Sequence, residues 1–186
     1  KENYEEELAR VQQWLAKCKF YGVCEIGLDY YWDLTYKEQQ IEAFKTQIDR
    51  ALQYDLPIII HSRESTQACI DIVKEKQNGT LRGIFHCFSG TQNEAEQIIE
   101  LGLYLGIGGV VTFKKSTLPE IVKNISINHI VLETDAPYLA PAPYRGKRNE
   151  SSYIPLIAEQ IAIIKDIPLT DVAAITSRNA EKNFFN

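Results

Sequence analysis

The stretch PIIIHSRESTQACIDIVKEK, residues 57–76, carries the pattern from which the fold is predicted. It opens on an apolar run, residues 57–60, whose consecutive isoleucines favour a β-strand. A polar segment begins at His61, and after it Cys69, Ile72 and Val73 recur at helical spacing. The stretch therefore predicts a strand that leads through a short polar segment into a helix.

The same alternation of strand and helix recurs along the chain. Apolar runs rich in β-branched residues stand at residues 21–26, 57–60, 83–85, 103–111 and 129–132. Segments with helical spacing separate these runs, one helix precedes the first run, and residues 169–185 are predicted to form the last helix. Thr91 and Glu94 have the spacing of a capping box, and Gly102 is placed to end that helix. Strict alternation predicts a parallel sheet buried on both faces, in a single α/β domain over residues 1–186.

Two architectures fit this pattern, an open doubly wound sheet and part of a (β/α)8 barrel. The dinucleotide-binding fingerprint GxGxxG is absent, because Gly106, Gly108 and Gly109 do not match it and no helix starts there. A barrel has eight strands in about 250 residues. The barrel alternative therefore leaves three strands outside this sequence.

Composition limits the classes of function. The 186 residues are 45% hydrophobic and 24% charged, which is typical of a globular domain, and no apolar run approaches the ~20 residues of a membrane span. The four cysteines form no CxxC pair and are predicted to be reduced core thiols of a cytosolic protein. The net charge of −5 argues against a protein that coats nucleic acid, so any phosphate binding must be local.

Polar residues with catalytic chemistry stand where four of the runs end. The ends read EIGLD from residue 25, HSR from residue 61, HCFSG from residue 86 and ETD from residue 133. In a barrel the C-terminal ends of the strands meet at one face, so Glu25, His61, His86 and Asp135 are predicted to lie together. Imidazole and carboxylate side chains together bind divalent metals. His129 precedes its run and is predicted to lie at the opposite face.

A stiff, basic loop follows the last run. It contains three prolines within seven residues, and Arg145, Lys147 and Arg148 come after them within four positions. Because arginine and lysine bind phosphate oxygens, Arg145 and Lys147 are predicted to contact substrate phosphate. Asn149 is predicted to add a contact to the phosphate, the sugar or a base edge.

Residues after the first two runs provide further candidates for substrate contact. Arg63 stands two residues after His61 and is predicted to contact phosphate. Tyr30, Tyr31 and Trp32 follow the first run, and unpaired bases stack on aromatic side chains of this kind. Core packing is the alternative interpretation of these aromatic residues.

Five stretches of the sequence together resemble the TatD family of metal-dependent deoxyribonucleases, within the amidohydrolase-like barrels. They are EIGLDYYWD (25–33), IIIHSRES (58–65), HCFSG (86–90), ETDAPYLAPAPYRGKRNE (133–150) and TSRNAEKNFF (176–185). The resemblance implies a TIM-type (β/α)8 barrel, with about five of the eight βα units present and the N-terminal part missing.

The resemblance also implies a cofactor of one or two divalent metal ions, Mg, Mn or Zn. Glu25 matches the carboxylate shared by both metals, and His61 and His86 match the histidines of one metal. Asp135 matches the aspartate at the other metal, and it forms with Glu25 the implied catalytic pair. The family's HxHxD motif on the first strand has no counterpart in this sequence.

The implied activity is divalent-metal-dependent hydrolysis of DNA phosphodiester bonds, with a metal-bound water as the nucleophile. In this interpretation Asp135 accepts a proton from that water or orients the water. An acidic chain with a recessed site favours an exonuclease on single-stranded DNA or frayed 3′ ends. The alternatives are a metal-dependent amidohydrolase or esterase acting on a small molecule or an aminoacyl-tRNA, and a non-catalytic nucleic-acid-binding protein. We expect a cytoplasmic monomer at full length, without a membrane partner.

Overall fold

The computed structural model describes residues 3–185, which fall into two compact units. The first unit extends to Ile84 and includes residues 183–185, and the second contains residues 85–182. The first unit's elements are α1 (Tyr4–Lys17), β1 (Val23–Asp29), α2 (Lys37–Gln53), β2 (Ile58–Arg63), α3 (Thr66–Lys76) and the start of β3 (Gly83–Phe85). The second unit's α-helices and strands are α4 (Gln92–Glu100), β4 (Tyr104–Ile107), α5 (Leu118–Asn124), β5 (Ile130–Leu132), α6 (Ile154–Lys165) and α7 (Leu169–Phe184), whose last residues belong to the first unit.

In the first unit, β1 and β2 pair in parallel, with α2 between them in the sequence. Phe44 and Ile48 of α2 and Ile58 and Ile60 of β2 are fully buried, as expected for a helix that covers a strand pair. The register between the two strands shifts near the start of β1. Val23 pairs with Ile58 and Ile26 pairs with Ile60, so β1 has one more residue than β2 between these two pairs. This irregularity lies between Val23 and Ile26, a stretch that includes Glu25, and bulges of this kind re-aim a side chain.

The first predicted strand was placed too early in the sequence. The prediction ended it at Ile26, whereas β1 continues to Asp29 because Gly27, Leu28 and Asp29 pair with residues of β2. Glu25 therefore lies within the strand, at the bulge, and Asp29 ends it. In the same way β2 extends through His61 to Arg63.

In the second unit, β4 and β5 also pair in parallel, with α5 between them in the sequence. The predicted capping box is present, since the Thr91 hydroxyl accepts from the Glu94 backbone N–H and the Glu94 carboxylate accepts from the Thr91 backbone N–H. Gly102 follows α4 with a φ of +80°, which only glycine adopts readily. The helix begins and ends where the sequence predicts.

The long apolar run at residues 103–111 does not form one strand. β4 ends at Ile107, and a short 3-10 helix, Gly109–Thr112, follows it. A Cβ atom on Gly109 would collide with the backbone carbonyl of Leu139, so the chain turns where the 133–150 loop passes closely. The predicted strand is too long because the point where β4 ends depends on the 133–150 loop, which is distant in the sequence.

The predicted parallel α/β class is confirmed by both strand pairs. The count of five in eight βα units remains a prediction. No helix in the described part of the chain is long and apolar enough to span a membrane. Cys69 is buried, and burial raises the pKa of its thiol to about 12, whereas Cys18 and Cys24 are exposed, so the prediction of core thiols is wrong for those two.

Candidate metal centre

Glu25, Asp29 and His61 form a cluster in the first unit, which we call the His61 cluster. His61 Nε2 lies 3.1 Å from Asp29 Oδ2, and His61 Nδ1 lies 4.0 Å from Glu25 Oε2. The Glu25 side chain is 53% exposed and the His61 side chain 37% exposed, so both are open to solvent. The cluster pairs a solvent-accessible imidazole with two carboxylates.

Gly27 permits the close approach of β1 to β2 at His61. The two residues are partners in the strand register, and Gly27 has a φ of +141°. A Cβ atom at Gly27 would collide with the backbone carbonyl of His61. A side chain at this position is therefore excluded by both conformation and space.

His86, Glu133 and Asp135 form a second cluster, which we call the His86 cluster. It lies in the second unit, where His86 follows β3 and the two carboxylates follow β5. His86 Nδ1 lies 2.9 Å from Glu133 Oε2, and His86 Nε2 lies 3.4 Å from Asp135 Oδ1. The His86 side chain is 13% exposed, so this cluster is more enclosed than the His61 cluster.

Glu133 is held by the backbone as well as by His86. Its Oε1 accepts a hydrogen bond from the Cys87 backbone N–H at 2.5 Å, and its own backbone N–H donates to the Ile107 carbonyl. Gly106 on β4 leaves room for the carboxylate, because a Cβ atom there would lie 2.5 Å from Glu133 Oε2. The position of Glu133 is therefore determined by β4 and by His86 and Cys87, which follow β3.

The His86 cluster has the donor chemistry of a metal site. A neutral imidazole carries one N–H, so His86 can donate to Glu133 or to Asp135 but not to both. When Nδ1 donates to Glu133, the lone pair of Nε2 faces a carboxylate oxygen of Asp135 at 3.4 Å. A cation between Nε2 and Asp135 would replace this repulsion between two hydrogen-bond acceptors with two metal–ligand contacts. A carboxylate that accepts the N–H of the other ring nitrogen usually orients a metal-binding histidine.

The four predicted ligands occur as two pairs in the structure. Glu25 lies beside His61, and Asp135 lies beside His86. In the described residues, no group of three or more His, Cys, Asp or Glu side chains is arranged to hold a metal ion. The prediction that all four residues share one metal site remains a prediction.

Two carboxylates of these clusters were missing from the predicted site. Glu133 and Asp29 stand two and four residues from the predicted ligands Asp135 and Glu25. Glu25 and Asp29 both lie on β1, where spacing by an even number places residues on one face, and this signal identifies Asp29. Glu133 and Asp135 follow β5, so the only sequence signal for Glu133 is its position directly after the apolar run. Gly106 carries no such signal, because its role depends on a contact with a different strand.

The predicted cations of the 133–150 loop are exposed. Arg145, Lys147 and Arg148 all face solvent, and the Arg145 guanidinium carbon lies 4.3 Å from the centre of the Phe113 ring. A recess of about 530 Å³ opens in this loop and is lined by Arg148 and Pro137 among others. Arg148, which the sequence analysis placed in the basic loop without a predicted contact, provides a cation in the lining of this recess.

Asn149 has a structural position in the loop that the sequence did not indicate. It is 1% exposed, and its side-chain amide donates to the backbone carbonyls of Thr134 and Tyr138 at 2.5 and 2.6 Å. Its Oδ1 accepts from the Glu150 backbone N–H. The donors of Asn149 therefore hold the loop around Asp135. The predicted contact of Asn149 with substrate stays a prediction.

The aromatic residues after β1 differ from one another. The hydroxyl of Tyr30 is buried without a hydrogen-bond partner among the described residues, and burial raises its pKa. Tyr31 and Trp32 are exposed, and the guanidinium of Arg63 stacks over Tyr31 at 3.7 Å. Of these three residues, Tyr31 and Trp32 are therefore the ones that present large aromatic surfaces to solvent.

Comparison with known proteins places these features in a family. The family model for TatD-related DNases matches residues 1–185. The chain is 43% identical over 181 residues to the uncharacterized metal-dependent hydrolase YabD of Bacillus subtilis, and 33% identical over 169 residues to a 3′-5′ ssDNA/RNA exonuclease TatD of Erwinia tasmaniensis. It resembles a crystal structure of YjjV, a TatD homologue from Escherichia coli K12, with a TM-score of 0.91 and 27% identity.

These alignments cover nearly all of this chain and part of each relative. They include 97% of the chain and 71% of the Bacillus protein, and 88% of the chain and 65% of the Erwinia protein. A metal-dependent hydrolase of Buchnera aphidicola is covered over 59% of its length. The structural match covers 97% of this chain and 70% of YjjV, and together with the parallel strand pairs it is consistent with a TIM-type fold.

Proposed function

The chain belongs to the family of TatD-related DNases, and on that basis we propose that it is a divalent-metal-dependent hydrolase that shortens single-stranded DNA from an end. The observation that carries the proposal is the position of His86, which Glu133 holds on one ring nitrogen and which faces Asp135 with the other. The name of the Erwinia relative, a 3′-5′ ssDNA/RNA exonuclease, supports the choice of substrate and polarity. We further propose that the described strands belong to a TIM-type barrel of eight βα units.

The side chains of the two clusters have separate roles in this proposal. When bound, a divalent cation lowers the pKa of a water molecule and neutralises charge on the phosphate. The proposed ligands, which would hold the cation or cations, are Glu25 and His61 in the first unit and His86 and Asp135 in the second. Glu133 is a positioning residue, because it fixes the ring of His86 from the side away from Asp135.

Asp135 is the proposed proton acceptor for the attacking water. Its side chain is 30% exposed, whereas that of Glu133 is 18% exposed and bonded to both His86 and a backbone N–H. Asp135 therefore has the freer carboxylate in the His86 cluster. A positioned carboxylate of this kind contributes about 10²–10⁴-fold to the rate of proton transfer.

The 133–150 loop provides the proposed phosphate contacts. Arg145 and Lys147 are exposed in the loop that begins beside Asp135, and Asn149 holds that loop from within. Arg148 lines the recess of the same loop. Because buried hydrogen bonds already hold the backbone of this loop, binding of a phosphate costs mainly the side-chain freedom of the cations and little backbone freedom.

The test is cleavage of a 5′-labelled single-stranded oligonucleotide with Mg²⁺, Mn²⁺ or Zn²⁺, and with a chelator in place of metal. We expect a ladder of products shortened from the 3′ end, only when metal is present. Asp135→Asn should lower the rate by about 10²–10⁴-fold. Asp166→Asn makes the same chemical change at the exposed end of α6 and should leave the rate unchanged.

A different outcome would reject the proposal. Hydrolysis of aryl esters or amides without any cleavage of the oligonucleotide would favour the alternative amidohydrolase or esterase function. Cleavage that persists in the chelator, or that is equal in Asp135→Asn and the unmodified protein, would exclude the metal-dependent role of the His86 cluster.

A further inference from the structure

We infer that Tyr31, Trp32 and Arg63 form a binding surface for one unpaired nucleobase, which we call the Trp32 platform. The inference rests on the proposed function, because it specifies how a single-stranded nucleic acid would be held. The platform is inferred to bind the base, whereas the loop cations and the metal are proposed to bind the phosphate. The three residues all belong to the first unit.

The platform presents aromatic faces that the described fold does not cover. Trp32 is 77% exposed and Tyr31 is 48% exposed. The two rings meet edge to face, with centroids 4.7 Å apart and planes at 90°. In this arrangement only the edge of one ring contacts the other, so ring surface of Trp32 remains available for stacking.

Arg63 supports the platform from beside Tyr31. Its guanidinium carbon lies 3.7 Å from the centre of the Tyr31 ring and 5.4 Å from that of Trp32. A guanidinium over an aromatic face at this distance makes a favourable cation–π contact. Arg63 was predicted as a phosphate contact, but its geometry makes it a support for the aromatic residues as well.

The segment that carries the two rings is held in place by hydrogen bonds. The Tyr31 backbone N–H donates to Asp29 Oδ1 at 3.0 Å, and the Tyr30 backbone N–H donates to the Arg63 carbonyl at 2.9 Å. Beyond Trp32, both the backbone N–H and the hydroxyl of Thr35 donate to Asp33 Oδ1, and these bonds lower the pKa of Asp33. A surface fixed before binding loses less conformational entropy when a ligand stacks on it.

The platform lies next to the His61 cluster. One carboxylate connects them, since Asp29 Oδ1 accepts from Tyr31 and Asp29 Oδ2 lies 3.1 Å from His61 Nε2. Arg63 follows His61 by two residues on β2, which places both on one face about 7 Å apart along the strand. A nucleotide with its phosphate near His61 therefore has its base within reach of the platform.

The exposed surface fits an unpaired base better than a paired one. Each base has a π-face that stacks on an aromatic ring, and stacking of this kind tolerates any sequence. In a duplex both faces of an internal base are covered by its neighbours. The platform thus selects single strands and frayed ends, with little preference among bases.

The test uses the fluorescence of Trp32 in the absence of metal. The chain has two tryptophans, so Trp14→Phe leaves Trp32 as the single reporter. Trp14 lies on α1, away from the platform in sequence and exposed, and its replacement should not change binding. This protein is titrated in EDTA with a short oligothymidylate and with an abasic oligonucleotide of equal length and charge.

We expect the oligothymidylate to quench Trp32 and the abasic strand to leave its emission unchanged. Trp32→Ala should weaken binding of the oligothymidylate by about 5- to 150-fold and have little effect on the abasic strand. Arg63→Lys keeps the charge but not the planar stack, so it should reduce the preference for the oligothymidylate while the salt dependence stays the same. Unfolding midpoints measured for each variant show whether it has retained its fold.

Equal binding of the two oligonucleotides, with unchanged Trp32 emission, would overturn the inference. The outcome is separable from that of the proposed function, because these titrations require no cleavage. Quenching without metal-dependent cleavage would reject the hydrolase and keep the platform. Cleavage by Trp32→Ala with an unchanged KM would reject the platform and keep the hydrolase.

Discussion

The carboxylate of Glu133 is shared between the side chain of His86 and the backbone that follows it. Oε2 lies 2.9 Å from His86 Nδ1, while Oε1 accepts the Cys87 backbone N–H at 2.5 Å. Both oxygens are thus used, and the carboxylate fixes the orientation of the ring as well as the position of the chain. The other ring nitrogen is left facing Asp135.

Replacement of this carboxylate should weaken metal binding. Glu133→Gln keeps the shape but cannot accept on both oxygens, so His86 loses its fixed orientation, and we expect the affinity for Mn²⁺ or Zn²⁺ to fall about 10–100-fold. Competition with a fluorescent chelator measures this affinity. Glu120→Gln, an exposed change at the start of α5, is the matched control. Equal affinities in the two variants would remove the positioning role of Glu133.

The space that Gly106 leaves for the Glu133 carboxylate can be tested by adding a single methyl group at Gly106. A Cβ atom at Gly106 would lie 2.5 Å from Glu133 Oε2 and 3.1 Å from the Phe85 carbonyl, so Gly106→Ala should destabilise the protein by about 1–3 kcal/mol and lower metal affinity. At Gly108 the nearest atom would be 3.6 Å away, an ordinary contact, so Gly108→Ala should have a much smaller effect. Urea unfolding of both variants measures the difference, and similar midpoints would contradict the steric argument.

The basic loop should determine how salt affects binding of oligonucleotides. Loss of Arg145 and Lys147 removes two exposed cations, and each lost phosphate contact lowers the log–log salt slope by roughly 0.7 for a single strand. The double replacement by alanine is therefore expected to weaken binding and flatten this slope, with metal affinity unchanged. Lys17→Ala with Lys19→Ala removes the same charge from an exposed segment of the first unit. If both double variants change the slope equally, the loop has no special role in phosphate binding.

Asn149 should contribute to stability. Asn149→Ala leaves the carbonyls of Thr134 and Tyr138 without their donor, and we expect a loss of about 1–3 kcal/mol in the free energy of unfolding. Chemical denaturation measures this loss, with exposed Asn128→Ala as the control. A neutral Asn149→Ala would mean that the loop holds its shape without these bonds.

The cysteines should differ in their reactivity. Burial raises the pKa of Cys69 to about 12, so its thiol stays protonated and inert at pH 8, while exposed Cys18 and Cys24 are alkylated. Mass spectrometry after iodoacetamide treatment, with and without denaturant, identifies the modified positions. The ordinary thiol pKa is 9.0, so the unfolded chain loses this proton first and the contribution of Cys69 to stability falls as pH rises from about 9 toward 12. Labelling of Cys69 in the folded protein would contradict its burial.

The parts of the fold that depend on neighbours in the chain could be predicted from the sequence. The Thr91 capping box and the Gly102 helix end are local, and both are present as predicted. The run at residues 103–111 was predicted as one strand because its composition is uniformly apolar, but the passage of Leu139 beside Gly109 ends the strand earlier. The composition of an apolar run does not show that a backbone segment distant in the sequence will end the strand early.

The sequence by itself determined the order and type of the elements and the residue types that carry chemistry, because hydrophobic period, capping and turn propensity act between residues close in the chain. Only the tertiary structure decided which carboxylate each histidine meets. Asp29 is 32 residues from His61, and Glu133 is 47 residues from His86. At such separations the parallel register, the register shift between Val23 and Ile26 and the space left by Gly106 select the contacts. All three features depend on how the strands pack against one another, and the spacing of residues along the chain does not specify that packing.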